Sequence, residues 1–424
     1  MHNKFPDDFL WGASTSAYQV EGGNLNCDWS KWEKETGHEN CGDACRHYDL
    51  YKEDLAIAKA LSHNAHRLGI EWSRLEPAEG VWNEKAWDHY KQVLDELFKN
   101  DIEPILTLHH FTLPLWLSEK GGWLYPGSPD IFRRFAEKAA RTLGTRTNYW
   151  ITINEPNILA ILAYFWGQWP PCHKDFNEAL NVLSNMLRSH ALAYASIKEN
   201  AGKTARVGVA KAVTAFHPYS LLSPLDRYAA HARNSFHNHA FISSLIKGKI
   251  GFGPLKGEKL LSSDTLDFIG LNYYFRQFIR GGRDILKNPF GEVVSPPPRA
   301  GKREITDMGW EVYPEGLYEA AKSFSKYCLP IIVTENGIAA RDDEKRKIYI
   351  RDHLTSIMKA INEGIPVKGY LHWSLLDNFE WDSGYSKKFG LIEVDFETQK
   401  RRIRPSAEYY SKIIQTGLPN AREE

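Results

Sequence analysis

Short apolar or β-branched runs alternate along the chain with longer amphipathic segments, the pattern of βαβ units on a parallel sheet. The runs predict strands at residues 9–12, 65–70, 102–108, 149–153, 207–212, 268–271, 331–333 and 367–373. The segments between them predict helices, among them 48–61, 84–100, 131–143, 176–199, 314–327 and 343–363. Strands and helices in this alternation point to the α/β class and a single (β/α)8 TIM barrel with elaborated βα loops, rather than an open doubly wound sheet. No GxGxxG or P-loop follows any strand, which removes the usual nucleotide-binding alternatives. No low-complexity segment, long linker or close repeat divides the chain, so one barrel domain over residues 1–424 is expected. Residues 275–314 are the exception: rich in Gly, Pro and Arg, they predict a long βα loop with a hairpin beside the sixth strand.

Composition narrows the partners. The 424 residues exceed the size of one easily filled core, a limit that α/β barrels routinely pass. Lys plus Arg and Asp plus Glu both number 53, giving a formal charge of zero. That balance supplies no pull toward nucleic acid or an anionic membrane and suits a neutral small molecule. No run approaches the ~20 apolar residues that span a bilayer. The start, MHNKFPDDFLWG, is acidic where a signal peptide is basic, so a cytoplasmic location is expected. Five cysteines make a poor disulfide framework. Cys41 and Cys45, with Cys27, His38 and His47 nearby, lack a regular structural-zinc spacing and read as loop and core thiols, with no metal.

In barrels the reacting groups project from the carboxyl ends of the strands. Here those ends carry Gln19 and Glu21, then Arg67, Glu71 and Arg74, then His109 and His110, then Asn154 and Glu155. Further along come Asn272, Tyr273 and Tyr274, then Glu335 and Asn336, then Trp373, Asp377, Glu380 and Trp381. Two ends look alike: an apolar strand, a small polar residue, a Glu, then a turn former (Pro156, or Asn336-Gly337). One strand-end Glu is ordinarily a salt-bridge partner. Two of them, ringed by Trp, His, Asn and Gln, match what glycoside hydrolysis needs: one acid for the leaving oxygen and one carboxylate to attack or to activate water.

The motifs themselves resemble glycoside hydrolase family 1, the β-glucosidase and β-galactosidase family. TINEP at 152–156 and TENG at 334–337 resemble its two active-site signatures. FLWGASTSAYQVEGG, RLGIEWSRLEP, LTLHHFTLPLWL, DFIGLNYY and GYLHWSLLDNFEW extend the likeness over essentially the whole chain. The resemblance implies a general acid/base at Glu155 and a nucleophile at Glu335. It implies a sugar pocket of Gln19, His110, Asn154, Trp373, Glu380 and Trp381, with Asn154 on the 2-hydroxyl. Arg67 and Tyr274 match groups that contact the nucleophile, and Asn272 a supporting one; Arg67 would hold Glu335 ionised. No cofactor is implied.

The implied reaction is hydrolysis of terminal β-glucosides, and also β-galactosides or β-fucosides, with retention through a covalent glycosyl-enzyme. It calls for carboxyl groups ~5–5.5 Å apart. Phosphate-specific members carry a Ser–Lys–Tyr arrangement at the loop following Glu380, which here reads NFEWDSGYSKKFG with an anion in the key place. An unphosphorylated sugar is therefore expected, and Lys387 and Lys388 are read as solvated. Trp166 and Trp169 are candidate walls of the leaving-group site; Trp29, Trp32, Trp82 and Trp87 are read as structural. Phe111 and Asn157 depart from the commoner Trp and resemble thermophilic and archaeal branches. Transglycosylation and β-mannoside hydrolysis remain open alternatives at the same site, and a non-catalytic sugar-binding protein a remote one. An aldolase or isomerase would need a Schiff-base lysine, metal cluster or phosphate site that these strand ends do not show.

Overall fold

The computed structural model of the chain describes residues 4–419 apart from Asp284 and Leu286. The domain expected over 1–424 extends past them at both ends, and the expected 275–314 loop contains the two internal positions. Eight parallel strands form the barrel: β1 (Leu10–Ser14), β2 (Ala65–Gly69), β3 (Glu103–His109), β4 (Tyr149–Asn154), β5 (Arg206–Pro218), β6 (Phe268–Arg280), β7 (Ile331–Asn336) and β8 (Val367–Trp373). Neighbours pair in sequence order, β8 pairs with β1, and β5 pairs with β6 to close the ring.

Alternation of side chains along each strand explains why the ring is filled. Ala65, Ile105, Ile151, Ala210, Phe268, Ile332 and Leu371, each from a different strand, make one buried cluster. Phe268 is its largest member, and Gly208 makes room for it: a Cβ there would lie 2.8 Å from the Phe268 ring. Outside the ring the helices bury one stripe each. In Glu84–Lys99 the buried residues Ala86, Trp87, Tyr90, Val93, Leu94 and Leu97 follow helical spacing, and the Asn83 side chain caps the first turn.

Every expected strand is present, and β8 has the expected bounds. Two strands run much longer than their apolar patterns. β5 continues to Pro218 and β6 to Arg280, side by side. The 275–314 segment therefore begins as strand, a correction to the expected loop. Its hairpin is real: Phe278–Arg280 pairs antiparallel with Glu292–Val294. Arg276 is what the pattern could not accommodate. It is buried in the strand because its guanidinium meets both carboxylate oxygens of Glu311 and lies 3.9 Å from the Tyr313 ring centre. Helices Asp28–Thr36, Pro224–Arg233, Ala240–Lys247 and Pro405–Thr416 add to the expected set.

Cys27, Cys41 and Cys45 are buried, and each thiol donates to a carbonyl: Asn24 at 3.5 Å, Tyr18 at 3.1 Å and Asp377 at 2.9 Å. Among the described residues no helix is long and apolar enough to cross a membrane.

Candidate active site

The carboxyl ends of the strands meet at one mouth. β4 ends at Asn154, and Pro156 opens the short helix Pro156–Leu159. Between them Glu155 takes a left-handed backbone (φ 43°, ψ 56°). Phe111 and Trp381 at the same mouth are also left-handed, at φ 71° and 49°. That conformation costs a non-glycine residue on the order of 1–2 kcal/mol, and tertiary packing must hold it. The packing is visible: the Phe111 and Trp381 rings lie 5.1 Å apart, and Trp169 is 5.0 Å from Phe111.

One hydrogen-bonded network joins the two glutamates. Glu335, buried at the end of β7, accepts from Arg67 through one oxygen and from the Tyr274 hydroxyl at 2.7 Å through the other. Arg67 is wholly buried and also donates to Thr107 Oγ1 (3.0 Å) and Asn154 Oδ1 (2.7 Å). Asn272 receives the Thr334 hydroxyl at 2.6 Å, which leaves its amide N–H groups aimed at Asn154 Oδ1 (3.1 Å) and Glu155 Oε1 (2.9 Å). Asn154 spends one amide N–H on His110 Nε2 at 3.1 Å. The two carboxyls thus sit in unlike surroundings, Glu335 with an arginine and a phenol and Glu155 with a neutral amide. Burial first, then the Glu335 charge, push the Glu155 pKa up to about 8.

Above the network lies a cavity of about 390 Å³ lined by Glu155, Glu335, Asn154, His110, Trp373 and Glu380, among others. Gln19 lies behind it, donating to Phe379 O (2.7 Å), Asn378 Oδ1 (3.0 Å) and Glu380 Oε2 (3.4 Å). Its own Oε1 accepts from no described residue. Burial, then Glu335, Asp382 and Glu155, raise the Glu380 pKa to about 8. The His110 ring stacks within 6.0 Å of both Trp373 and Trp381, giving an aromatic side to a pocket with a polar floor.

A barrel mouth with paired carboxylates, amide donors and stacked aromatics is shaped for a sugar, and comparison with known proteins agrees. The model of glycosyl hydrolase family 1 matches residues 1–418. The chain belongs to that family. A β-glucosidase A of Acetivibrio thermocellus is 35% identical over 97% of this chain and 98% of its own length. A 6-phospho-β-galactosidase of Clostridium acetobutylicum is 34% identical over 97% of each. The solved β-glycosidase from Pyrococcus horikoshii superposes with a TM-score of 0.92 at 38% identity, covering 99% of this chain and 97% of that one. As a family 1 member the protein is an O-glycosyl hydrolase.

In this glycosyl hydrolase all the residues expected at the site converge, with Arg67 and Gln19 behind the cavity wall. Trp166 and Trp169 both line the cavity, and the Trp169 indole N–H donates to Asp382 at 3.0 Å. Trp29, Trp32 and Trp87 are buried in the core, and Trp82 packs against it. Asn157 turns away from the glutamates to His237 Nε2, 3.0 Å distant. Lys387 donates to Asp307 O at 2.7 Å, and the Lys388 ammonium lies 4.5 Å from the Phe396 ring centre. Neither lysine lines the cavity.

Sequence reasoning missed Phe216, Arg233, His237, Gln277 and Trp310, all of them lining. A signal for Arg233 was available: Ser223-Pro224 is an N-cap followed by a first-turn proline, and the Ser223 hydroxyl accepts the Asp226 N–H at 3.2 Å. For the others, placement depends on the extension of β5 and β6, which has no hydrophobic period to announce it.

Proposed function

We propose that this enzyme is a retaining β-glycosidase of unphosphorylated sugars, with Glu335 as nucleophile and Glu155 as proton carrier. The observation that carries the reading is the contrast between the two carboxyls. Glu335 sits between a guanidinium and a phenol, which suits a group that works as an anion. Glu155, with its pKa pushed up to about 8, holds a proton at neutral pH, as a general acid must. In the first step a Glu335 oxygen bonds to the anomeric carbon, the glycosidic C–O bond breaks, and the Glu155 proton passes to the departing oxygen. In the second, Glu155 takes a proton from water, whose oxygen displaces Glu335. Two inversions return the original anomeric configuration.

Asn154, His110 and Gln19 supply hydrogen-bonding groups for ring hydroxyls, and Trp373 and Trp381 supply the apolar face. Asn154 is pre-oriented, since its oxygen is held by Arg67 and Asn272 and its remaining N–H is the one left for substrate. The Clostridium relative raises the question of a 6-phosphate. The charge layout speaks for a neutral glycone. Glu155, Glu335, Glu380 and Asp382 share the cavity, and neither loop lysine reaches it. A phosphate dianion placed there would add two charges beside the Glu335 anion, with no lysine in the lining to offset them, in a medium where such repulsion is weakly screened. We expect β-glucosides as best substrates, with β-galactosides and β-fucosides also accepted.

The test uses Glu335→Gly with a 2,4-dinitrophenyl β-glucoside. The variant should be nearly inactive, recover turnover with azide, and yield the α-glucosyl azide by NMR. Ordinary hydrolysis by the variant, or a first-formed α-glucose from the wild type, would overturn the assignment. A parallel assay of β-glucoside against its 6-phosphate should favour the neutral sugar.

A further inference from the structure

The cavity is electrically lopsided. Its lining acids, Glu155, Glu335, Glu380 and Asp382, contrast with a single lysine or arginine among the lining residues, Arg233. Distance separates the two ends. Ala212 is the β5–β6 register partner of Asn272, which holds Glu155, and Phe216 is the partner of Gln277. Four residues along a strand span roughly 13 Å at ~3.3 Å each. Phe216 carries Arg233 on its ring, with the guanidinium carbon 5.9 Å from the centre. The same phenyl also borders an open surface groove beside the exposed Leu221, so this end faces solvent. Between the ends the wall is apolar, with Ile158, Ile161, Leu162, Trp166 and Val213.

Arg233 is also unspent. Nε donates to Phe290 O and Nη2 to Gly291 O, each at 3.0 Å. Both acceptors are neutral, and Nη1 donates to no described residue. Burial draws the guanidinium pKa down, with no acid among the described residues opposing it. A partly buried cation with a free N–H edge in an apolar wall favours an oxyanion, for which guanidinium is the best-matched side chain.

We propose that the outer end of the cavity is an oxyanion-binding aglycone subsite centred on Arg233. The leaving groups it selects are then apolar next to the glycosidic bond and anionic at the far end. The inference rests on the glycosidase reading and names its substrate class. The Glu335 anion of the deep end repels such a group and Arg233 attracts it, so one charge on the substrate sets which end enters first.

Nitrophenyl β-glucosides bearing a carboxylate on methylene tethers of graded length, each with its matched carboxamide, provide the test. For the tether that reaches Arg233, wild type should show a carboxylate-to-carboxamide ratio in kcat/KM of about tenfold, equivalent to ~1.4 kcal/mol. Raising the ionic strength should shrink that ratio. Arg233→Met should bring it to about one, and Arg233→Lys should keep part of it. A purely structural role for Arg233, clamping the Phe290–Gly291 turn, would lower both rates and leave the ratio unmoved. A wild-type ratio near one at every tether length overturns the subsite, as does a ratio that survives in Arg233→Met. If Arg233→Met does not fold, the wild-type ratio and its salt dependence still decide. Failure to hydrolyse even the carboxamides would instead remove the glycosidase reading and the subsite with it.

Discussion

At the scale of single residues, the site gives two chemically identical side chains different neighbours. Glu155 and Glu335 were both legible in the sequence as strand-end carboxylates before turn formers. Their difference was not, because Arg67 lies 268 positions from Glu335 and Asn272 lies 117 from Glu155. The raised pKa of Glu155 leads to a specific expectation. Since the proposed reaction needs its protonated form, kcat/KM should fall as pH rises through about 8. Glu155→Gln should abolish that limb on a substrate with an activated leaving group, and should slow a poor leaving group by roughly 10²–10⁴-fold. Glu380 also titrates near 8, so Glu380→Gln is the control. If the limb disappears with Glu380→Gln and persists in Glu155→Gln, the proton carrier has been misassigned.

At the scale of elements, hydrophobic period located the strands and stopped short of their functional ends. Residues 207–212 and 268–271 are the parts of β5 and β6 that fill the barrel, and apolar alternation marks them. Beyond those points the two strands leave the core and are stabilised by each other and by the Arg276–Glu311 pair, so their polar residues carry no period. The missed cavity residues sit on that extension or pack against it. Within the barrel the constraint is volume. Gly208→Ala would press a methyl into Phe268 and should cost about 1–3 kcal/mol in chemical denaturation. Adding Phe268→Leu should recover part of the loss, because the clash involves its ring as well as its carbonyl. Strictly additive losses would show that Gly208 is needed for some other reason.

At the scale of the whole molecule, burying acids at the mouth couples function to stability. Burial raises Glu155, Glu380 and Asp28 alike to about 8. Between roughly pH 4.5 and pH 8 each stays protonated in the native state and ionised in the unfolded chain. With respect to these groups the unfolded state then binds fewer protons, so the stability they contribute is fully present below that window and is lost as pH rises through it. Buried histidines such as His63, His66 and His109, drawn down to about 3, act in the opposite sense below ~6.5. Calorimetry should show the wild-type Tm falling relative to that of Glu380→Gln between about pH 5 and pH 8, because the variant carries no proton to lose while the histidines are common to both. A Tm difference between the two proteins that stays constant over this range would contradict the protonation of Glu380.

The sequence by itself determined the barrel, the two strand-end glutamates and the pocket residues next to them. Those follow from local period and from short motifs, which the chain carries wherever it folds. Only the tertiary structure decided which glutamate meets Arg67, how far β5 and β6 extend, and that Arg233 stands in the cavity lining across from four acid side chains. Each of these depends on charges and contacts between segments far apart in the chain, and their energy is set by a burial that exists only once the ring has closed.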